Sequence, residues 1–203
     1  MREIIVGLFI SLDGVIQGPG GPDEDTSGGF ELSGWLPALS DPVTGEAVGE
    51  LLAGEYALLL GRKTYDIFAG YWPAMAEQGN ALGLAFNAAT KYVASRDPDF
   101  PLHWQSSEHL ESDPVSRLRQ IKAGNGPRLV SQGSADFLQT LFAGDLVDEL
   151  VLQTYPVVLG SGKKLFQGSA MPATFALIDS KTSPRGVLIS RYRRAGGVEL
   201  GSF

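Results

Sequence analysis

The chain has 203 residues, 43% of them hydrophobic and 19% charged, which is typical of one soluble globular domain with a substantial core. Its formal net charge of −7 excludes a general attraction to nucleic acid or anionic membranes, so any phosphorylated ligand requires a local basic cluster. The absence of cysteine excludes disulfides, thiolate metal sites and cysteine nucleophiles.

Residues 3–10 open the chain with an almost continuous apolar run, which predicts a strand buried on both faces of a layered α/β domain. No signal-peptide pattern precedes this run, and no stretch approaches the roughly 18 apolar residues of a membrane span. We therefore expect a cytoplasmic protein without a membrane partner. Residues 17–33 are rich in Gly, Pro and Asp, and they predict a long loop of the kind that often forms a functional lid.

Helix and strand signals then alternate as far as residue 144. Two helices begin with an Asp-Pro pair, in which Asp is the N-cap and Pro the first helical residue. The predicted helices start at Asp41, cover residues 64–70, run from Asp113 to Gly124 and run from Ser134 to Gly144. The predicted strands between them cover residues 56–60, 91–94 and 128–131.

The last third of the chain consists of strands without helices between the final two. Strands are predicted over residues 149–159, 173–181 and 187–194, with a hairpin turn over residues 183–186. This order predicts an α/β fold with a mixed, mostly parallel sheet flanked by helices and a C-terminal antiparallel hairpin. We expect one domain over residues 1–194 and a short tail over residues 195–203.

The first phosphate-type turn is Gly61-Arg62-Lys63-Thr64, which directly follows a predicted strand and opens a helix. A helix N-terminus offers unpaired backbone N–H groups and the positive end of the helix dipole, both of which suit a phosphate. The alternative is a plain strand-to-helix turn in which the two basic side chains are solvated.

Two further strand ends carry similar turns. Ser95-Arg96 can hold the 2′-phosphate of NADPH, or it can be an exposed loop with a solvated arginine. Gln132-Gly133-Ser134 leaves room for a pyrophosphate at the backbone, although Ser134 also suits an ordinary N-cap. Because the carboxyl ends of parallel strands meet at one edge of a sheet, the three turns together predict an extended dinucleotide site.

Other polar and aromatic residues are weaker candidates. Asp13 lies in a turn after the first strand, where we expect a backbone shelf for nicotinamide or a simple Asx-turn. Glu31 and Trp35 are candidates for a substrate pocket, Trp35 by stacking on a flat heterocycle or else by anchoring a loop. His103 and His109 lie in a polar stretch and predict no metal site.

The chain resembles the dihydrofolate reductase superfamily, and most closely the C-terminal reductase domain of the riboflavin-biosynthesis deaminase–reductase. The matching segments occur in family order over residues 1–194, while the deaminase half is absent. They are residues 11–17, 58–65, 91–96, 133–135 and 156–162. The resemblance implies a dihydrofolate-reductase-like three-layer fold with NADPH as cofactor, and a homodimer is compatible with it.

The resemblance also implies roles for individual residues. Arg62, Ser95 and Arg96 would face the adenosine 2′-phosphate, and Lys63, Thr64, Gly133 and Ser134 would surround the pyrophosphate. The end of the first strand and residues 14–16 would border the nicotinamide. The full predicted cofactor set is Ile10, Gly14, Val15, Ile16, Gly61, Arg62, Lys63, Thr64, Ser95, Arg96, Gln132, Gly133, Ser134 and Ala135. Gln132 stands where dihydrofolate reductases carry the first glycine of a Gly-Gly cis peptide.

Three functions remain open from the sequence. The first is an NADPH-dependent reductase of a small flat heterocycle of pyrimidine or pterin type, with Asp13 and Glu31 as the candidate catalytic residues. The second is a non-catalytic module that binds a nucleotide or small molecule on the same fold. The third is an interaction protein without ligand, in which the strand over residues 149–159 serves as a sheet or dimer edge.

Overall fold

Eight strands and five α-helices make up the part of the chain that the computed structural model describes, residues 1–168 and 170–202. The strands are β1 (Ile4–Ser11), β2 (Tyr56–Gly61), β3 (Lys91–Ala94), β4 (Ser107–His109), β5 (Arg128–Gln132), β6 (Glu149–Tyr155), β7 (Thr174–Thr182) and β8 (Leu188–Gly196). The helices are α1 (Pro42–Leu51), α2 (Arg62–Glu77), α3 (Ala81–Ala88), α4 (Pro114–Ala123) and α5 (Ala135–Ala143). Of these helices, none is long and apolar enough to cross a bilayer.

All eight strands form one sheet in the order β4-β3-β2-β5-β1-β6-β8-β7. The pairs from β4 to β6 are parallel, and the β6–β8 and β7–β8 pairs are antiparallel. The predicted mixed sheet with a C-terminal antiparallel hairpin is therefore confirmed. Strand β6 lies between β1 and β8, so the predicted edge position of this strand is wrong; within the described sheet the edges are β4 and β7.

The core consists of two apolar layers, one on each face of the sheet. Leu118 of α4 and Leu138 of α5 pack on one face, while Tyr65 of α2 and Phe86 of α3 pack on the other. All four side chains are almost completely removed from water, and each buried side chain of this size contributes about 1.5–3 kcal/mol. Helices on both faces make the three-layer arrangement that keeps the parallel strand ends open for a ligand.

Helix α2 is longer than predicted: it spans 16 residues, whereas the prediction covered the seven from 64 to 70. It contains Pro73, which lacks an N–H group and normally interrupts a helix. Packing offsets this cost: Phe68 stacks on Phe86 with ring centroids 5.6 Å apart, and Trp72 meets the same ring at 5.0 Å. Neither α3 nor β4 was predicted, since both are short and lack a clear periodic pattern.

Strand boundaries in the last third also differ from the prediction. Strand β6 ends at Tyr155 rather than at residue 159, because Pro156 cannot donate a ladder hydrogen bond. Beyond it, the chain turns toward the end of β1, where the Leu12 amide donates to the Val157 carbonyl at 2.8 Å. Strand β8 continues past Arg194 to Gly196, and Phe203 of the predicted tail lies outside the described residues.

The helix starts agree with the sequence signals at two of three positions. The Asp41 side chain accepts from the Thr44 amide at 3.1 Å, and the Thr44 hydroxyl accepts from the Asp41 amide at 3.0 Å, so the two form a capping box. Asp113 caps α4 by accepting from the Ser116 amide at 3.1 Å, without a reciprocal bond. Ser134 precedes α5, but its side chain makes no capping bond.

Candidate functional site

A cavity of about 930 Å³ opens at the carboxyl ends of β1, β2, β3 and β5. Eleven of the fourteen predicted cofactor residues line it, namely Ile16, Gly61, Arg62, Lys63, Thr64, Ser95, Arg96, Gln132, Gly133, Ser134 and Ala135. The topology explains this convergence, since β3, β2, β5 and β1 are neighbours in the sheet and run parallel. A cavity of this size at these strand ends suits an extended small molecule.

Two of the phosphate-type turns are joined directly to each other. The Ser134 amide donates to Thr64 Oγ1 at 2.9 Å, and the Gly61 amide donates to Ser134 Oγ at 2.9 Å. This second bond is why Ser134 does not cap α5, and it corrects the prediction of an ordinary N-cap. The first turns of α2 and α5 both line the cavity, so their backbone amides without intrahelical partners lie at its edge.

The turn after β5 has an unusual backbone. Gly133 and Ser134 both adopt the left-handed conformation, with φ angles of 64° and 61°, and no peptide of the described residues is cis. The Gln132–Gly133 peptide is therefore trans. A left-handed serine is unfavourable by about 1 kcal/mol, and its two hydrogen bonds to the β2–α2 turn offset that cost.

Two arginines lie near the end of β3: Arg62, which opens α2 and is paired, and Arg96, which follows β3 and is unpaired among the described residues. The Arg62 guanidinium lies 4.5 Å from the centre of the Phe100 ring, and its Nη1 lies 3.7 Å from Asp97 Oδ2. The Asp97 amide donates to Ser95 Oγ at 3.1 Å. Arg96 is exposed and makes no hydrogen bond or ion pair with any residue that the structure describes. Asp97 was not predicted as part of the site. The available signal was its position directly after the candidate residues Ser95 and Arg96.

The predicted loop over residues 17–33 covers one end of the cavity. Asp25 of this loop forms ion pairs with Lys63 and with Lys163, the latter at 3.1 Å. Burial raises the pKa of Asp25, but hydrogen bonds from Lys63, Ser27 and Lys163 hold it well below its usual range. Asp25 and Lys163 both line the cavity and were not predicted, because no local pattern connects two segments so far apart in the chain.

Asp13 stabilises the turn after β1, although its side chain does not line the cavity. The Asp13 carboxylate accepts from Ser11 Oγ at 2.7 Å, from the Leu159 amide at 3.1 Å and from the Gly160 amide at 2.9 Å. The hydrogen bond from Ser11 lowers the pKa of Asp13 most, and those from Leu159 and Gly160 lower it further, to about 2. Asp13 is absent from the cavity wall.

Three predicted cofactor residues, Ile10, Gly14 and Val15, do not line the cavity. Ile10 packs into the core, and Val15 is fully buried beside Phe30. Instead, residues 7–9 of β1 line the wall together with Ile16.

The substrate candidates lie away from the cavity wall. The Trp35 Nε1 donates to the Gln17 carbonyl at 2.9 Å, and the indole meets the Tyr155 ring edge-on at 5.6 Å. Trp35 therefore anchors the loop, which was the alternative to substrate stacking. Glu31 is exposed and does not line the cavity.

Comparisons with known proteins agree on the family and the fold. The model of the RibD C-terminal domain family matches residues 2–189. The uncharacterized protein YyaP of Bacillus subtilis is 27% identical over 189 residues, which cover 92% of each chain.

Three solved structures share this fold. A protein assigned to riboflavin biosynthesis from Shewanella sp. PV-4 superposes with a TM-score of 0.71 at 21% identity, covering 96% of this chain and 99% of that one. A pyrimidine reductase-like protein from Corynebacterium diphtheriae gives 0.59 at 12% identity, covering 96% and 92%. Dihydrofolate reductase from Enterococcus faecalis, complexed with NADP(H), gives 0.60 at 14% identity, covering 95% and 96%.

Proposed function

Because the chain belongs to the RibD C-terminal domain family, we propose that it is an NADPH-dependent reductase of a small flat heterocycle. Membership of this family and the dihydrofolate-reductase-like fold support an activity of the reductase type. The choice of NADPH and of a pyrimidine or pterin substrate is our proposal. The observation that carries it is the convergence of three phosphate-type turns on one cavity.

The residues present fit a dinucleotide cofactor. Gly133 has a φ angle of 64°, which favours glycine, and without a side chain it leaves the backbone of this turn accessible to a phosphate. Lys63, Thr64, Gly133 and Ser134 would hold the pyrophosphate, with two helix N-termini beside it. Arg96 would hold the adenosine 2′-phosphate together with Arg62 and Ser95, because a guanidinium forms paired, charge-assisted hydrogen bonds with phosphate.

Bound NADPH would supply a hydride for reduction of an electrophilic carbon. The chain's own part would be to orient the reactants and exclude water, which accelerates a reaction by fixing its geometry. Leu8, Phe9 and Ile16 form the apolar section of the wall suited to the nicotinamide end. Asp13 would fix the backbone of the turn beside it without taking part in proton transfer, since all its described partners are donors within the protein.

We also propose a cytoplasmic enzyme whose domain covers residues 1–194 and which forms a homodimer. The edge strand β7 supports the homodimer, because Leu177 and Ile178 are about half exposed on it. Exposed apolar residues on an edge strand favour pairing with another chain.

The first experiment is a fluorescence titration of the purified protein with NADPH and with NADH. We expect tighter binding of NADPH, and a loss of that preference in the Arg62→Ala, Arg96→Ala double variant. Arg119→Ala is the matched control, because Arg119 is exposed on α4 and bonds only to the Gly144 carbonyl. Binding of neither nucleotide would overturn the proposal.

A second step tests turnover by following oxidation of NADPH with a panel of pterins, pyrimidines and carbonyl compounds. Oxidation that depends on one of these compounds supports the reductase and identifies its substrate class. NADPH binding without oxidation across the panel would instead favour the non-catalytic binding module. The absence of Glu31 from the cavity wall and the hydrogen bonds that engage Asp13 are the observations that support this alternative.

A further inference from the structure

Two lysines from distant parts of the chain meet around one carboxylate in the cavity wall. Lys63 belongs to the first turn of α2, and Lys163 belongs to the segment between β6 and β7. Asp25 of the loop lies between them, with one carboxylate oxygen on each ammonium group. The Asp25 side chain is only 12% exposed, whereas those of Lys63 and Lys163 are 49% and 29% exposed.

Asp25 also organises the loop that carries it. Its backbone carbonyl accepts from Gln17 Nε2 and from Ser33 Oγ, both at 3.0 Å. Its carboxylate accepts from the Ser27 amide at 3.0 Å as well as from the two lysines. Any group that replaces this carboxylate on the lysines therefore removes the ion pairs that join the loop to Lys63 and Lys163, while the Lys163 amide still donates to Gln17 Oε1 at 2.9 Å.

The charges of this cluster do not balance. Two ammonium groups face one carboxylate. Lys63 also lies in the first turn of α2, where the helix dipole has its positive end. A phosphate group carries a charge of about −1.5 to −2 and has three strong acceptor oxygens, so it matches the lysine pair better than a carboxylate does. Because Asp25 stays ionised at neutral pH, it competes with such a ligand as a charged group.

We infer that Lys63 and Lys163 form a subsite for a phosphate group of a ligand, and that Asp25 occupies this subsite until the phosphate displaces it. The inference rests on the proposed function and deepens it, because it adds Lys163 and the loop to the phosphate-binding residues. The phosphate belongs either to the cofactor or to a phosphorylated substrate. Displacement of Asp25 would loosen the part of the loop around it, so phosphate binding and local loop movement would be coupled.

Calorimetric titration with inorganic pyrophosphate tests the subsite without any nicotinamide. Asp25→Asn removes the competing charge, and we expect it to tighten pyrophosphate binding about twofold to thirtyfold, as two partly exposed ion pairs imply. We expect Lys163→Gln to weaken binding in wild-type and Asp25→Asn backgrounds. Asp23→Asn and Lys164→Gln are matched controls in the same segments, since both residues are exposed and make no ion pair among the described residues. Circular dichroism checks that every variant is folded.

Two further readouts distinguish the sources of the phosphate and test the coupling. If NADPH displaces pyrophosphate, the subsite serves the cofactor; if both bind together, it serves a phosphorylated substrate. Because Trp35 anchors the loop through Gln17, its fluorescence should change with pyrophosphate and should already be shifted in Asp25→Asn.

The possible failures are distinguishable from each other. Pyrophosphate binding that is the same in wild type, Asp25→Asn and Lys163→Gln would overturn the subsite, even if NADPH binds normally. Conversely, pyrophosphate binding that depends on Lys163 in a protein that binds neither NADPH nor NADH would uphold the subsite and overturn the proposed reductase.

Discussion

The backbone amide of Ser134 donates to Thr64 Oγ1 at 2.9 Å, and this bond joins the turn after β5 to the first turn of α2. The Thr64 side chain is 9% exposed, so water does not readily replace it as the acceptor. The same bond helps to hold Gly133 and Ser134 in their left-handed conformations. The two turns that would surround a pyrophosphate are therefore one preorganised unit rather than two independent loops.

Replacing Thr64 with valine tests this unit, because valine keeps the shape and removes the acceptor. We expect the free energy of unfolding to fall by about 0.5–1.5 kcal/mol, since the partly buried Ser134 amide loses its hydrogen-bond partner. NADPH affinity should fall by about tenfold as the turn relaxes, which corresponds to about 1.4 kcal/mol. Urea unfolding and nucleotide titration measure the two effects.

Thr64→Ser is the control for that substitution, because it retains the hydroxyl. It should keep most of the NADPH affinity while losing some packing of the methyl group. Equal affinities for wild type, Thr64→Val and Thr64→Ser would show that the bond does not preorganise the site.

Asp97 provides a second prediction, because its carboxylate pairs with Arg62 beside the proposed 2′-phosphate position. Asp97→Asn should free Arg62 and remove a repulsive charge, so NADPH should bind about twofold to fivefold more tightly, while NADH affinity should change little. Asp99→Asn makes the same charge change two residues away on an exposed side chain. The prediction fails if the two variants behave alike, or if NADPH and NADH affinities rise together.

The sequence predicted the parts of this site that are local and periodic. Gly61 ends β2, and Ser95 and Gly133 directly follow β3 and β5; parallel pairing gathers such positions at one sheet edge. The pairing of Asp25 with Lys163 could not be predicted, because it joins two loops through tertiary folding. Trp35 shows the converse case, since an aromatic residue in a loop looks the same in sequence whether it anchors the chain or binds a ligand.

Asp13 gives a prediction about acid stability. Its pKa is lowered to about 2 from 3.8, so the unfolded chain takes up the proton first as pH falls. The stabilising contribution is therefore complete above about pH 4 and is lost as the pH falls toward 2. Asp13→Asn should unfold more readily at neutral pH and show a smaller loss of stability between pH 4 and 2 than wild type.

Chemical denaturation across that pH range measures the Asp13 effect, and Asp23→Asn in the exposed part of the loop is the control. Because Asp13 bonds to Leu159 and Gly160 and does not line the cavity, its substitution should alter stability more than nucleotide affinity. Complete loss of turnover in a well-folded Asp13→Asn protein with unchanged NADPH binding would instead assign it a catalytic role.

Lys91 provides the last prediction, because it is fully buried and has no carboxylate partner among the residues that the structure describes. Its Nζ donates to the Asn87 and Gln105 carbonyls, both at 3.0 Å, and lies 4.3 Å from the centre of the Trp104 ring. Burial nevertheless lowers the pKa of Lys91 to about 8 from 10.5. A proton then leaves the folded protein at lower pH than the unfolded chain.

Between about pH 8 and 10 the unfolded chain therefore binds more protons at this position, and the contribution of Lys91 to the free energy of unfolding must rise with pH. Lys91→Met removes this rise, whereas Lys164→Met, at an exposed position, should keep it. Urea unfolding at intervals up to about pH 9 measures the slope while most tyrosines, whose ordinary pKa is about 10, are still protonated. If Lys91→Met and wild type have the same slope, the ammonium group is stabilised in the folded state by its two carbonyls and the Trp104 ring as fully as by water.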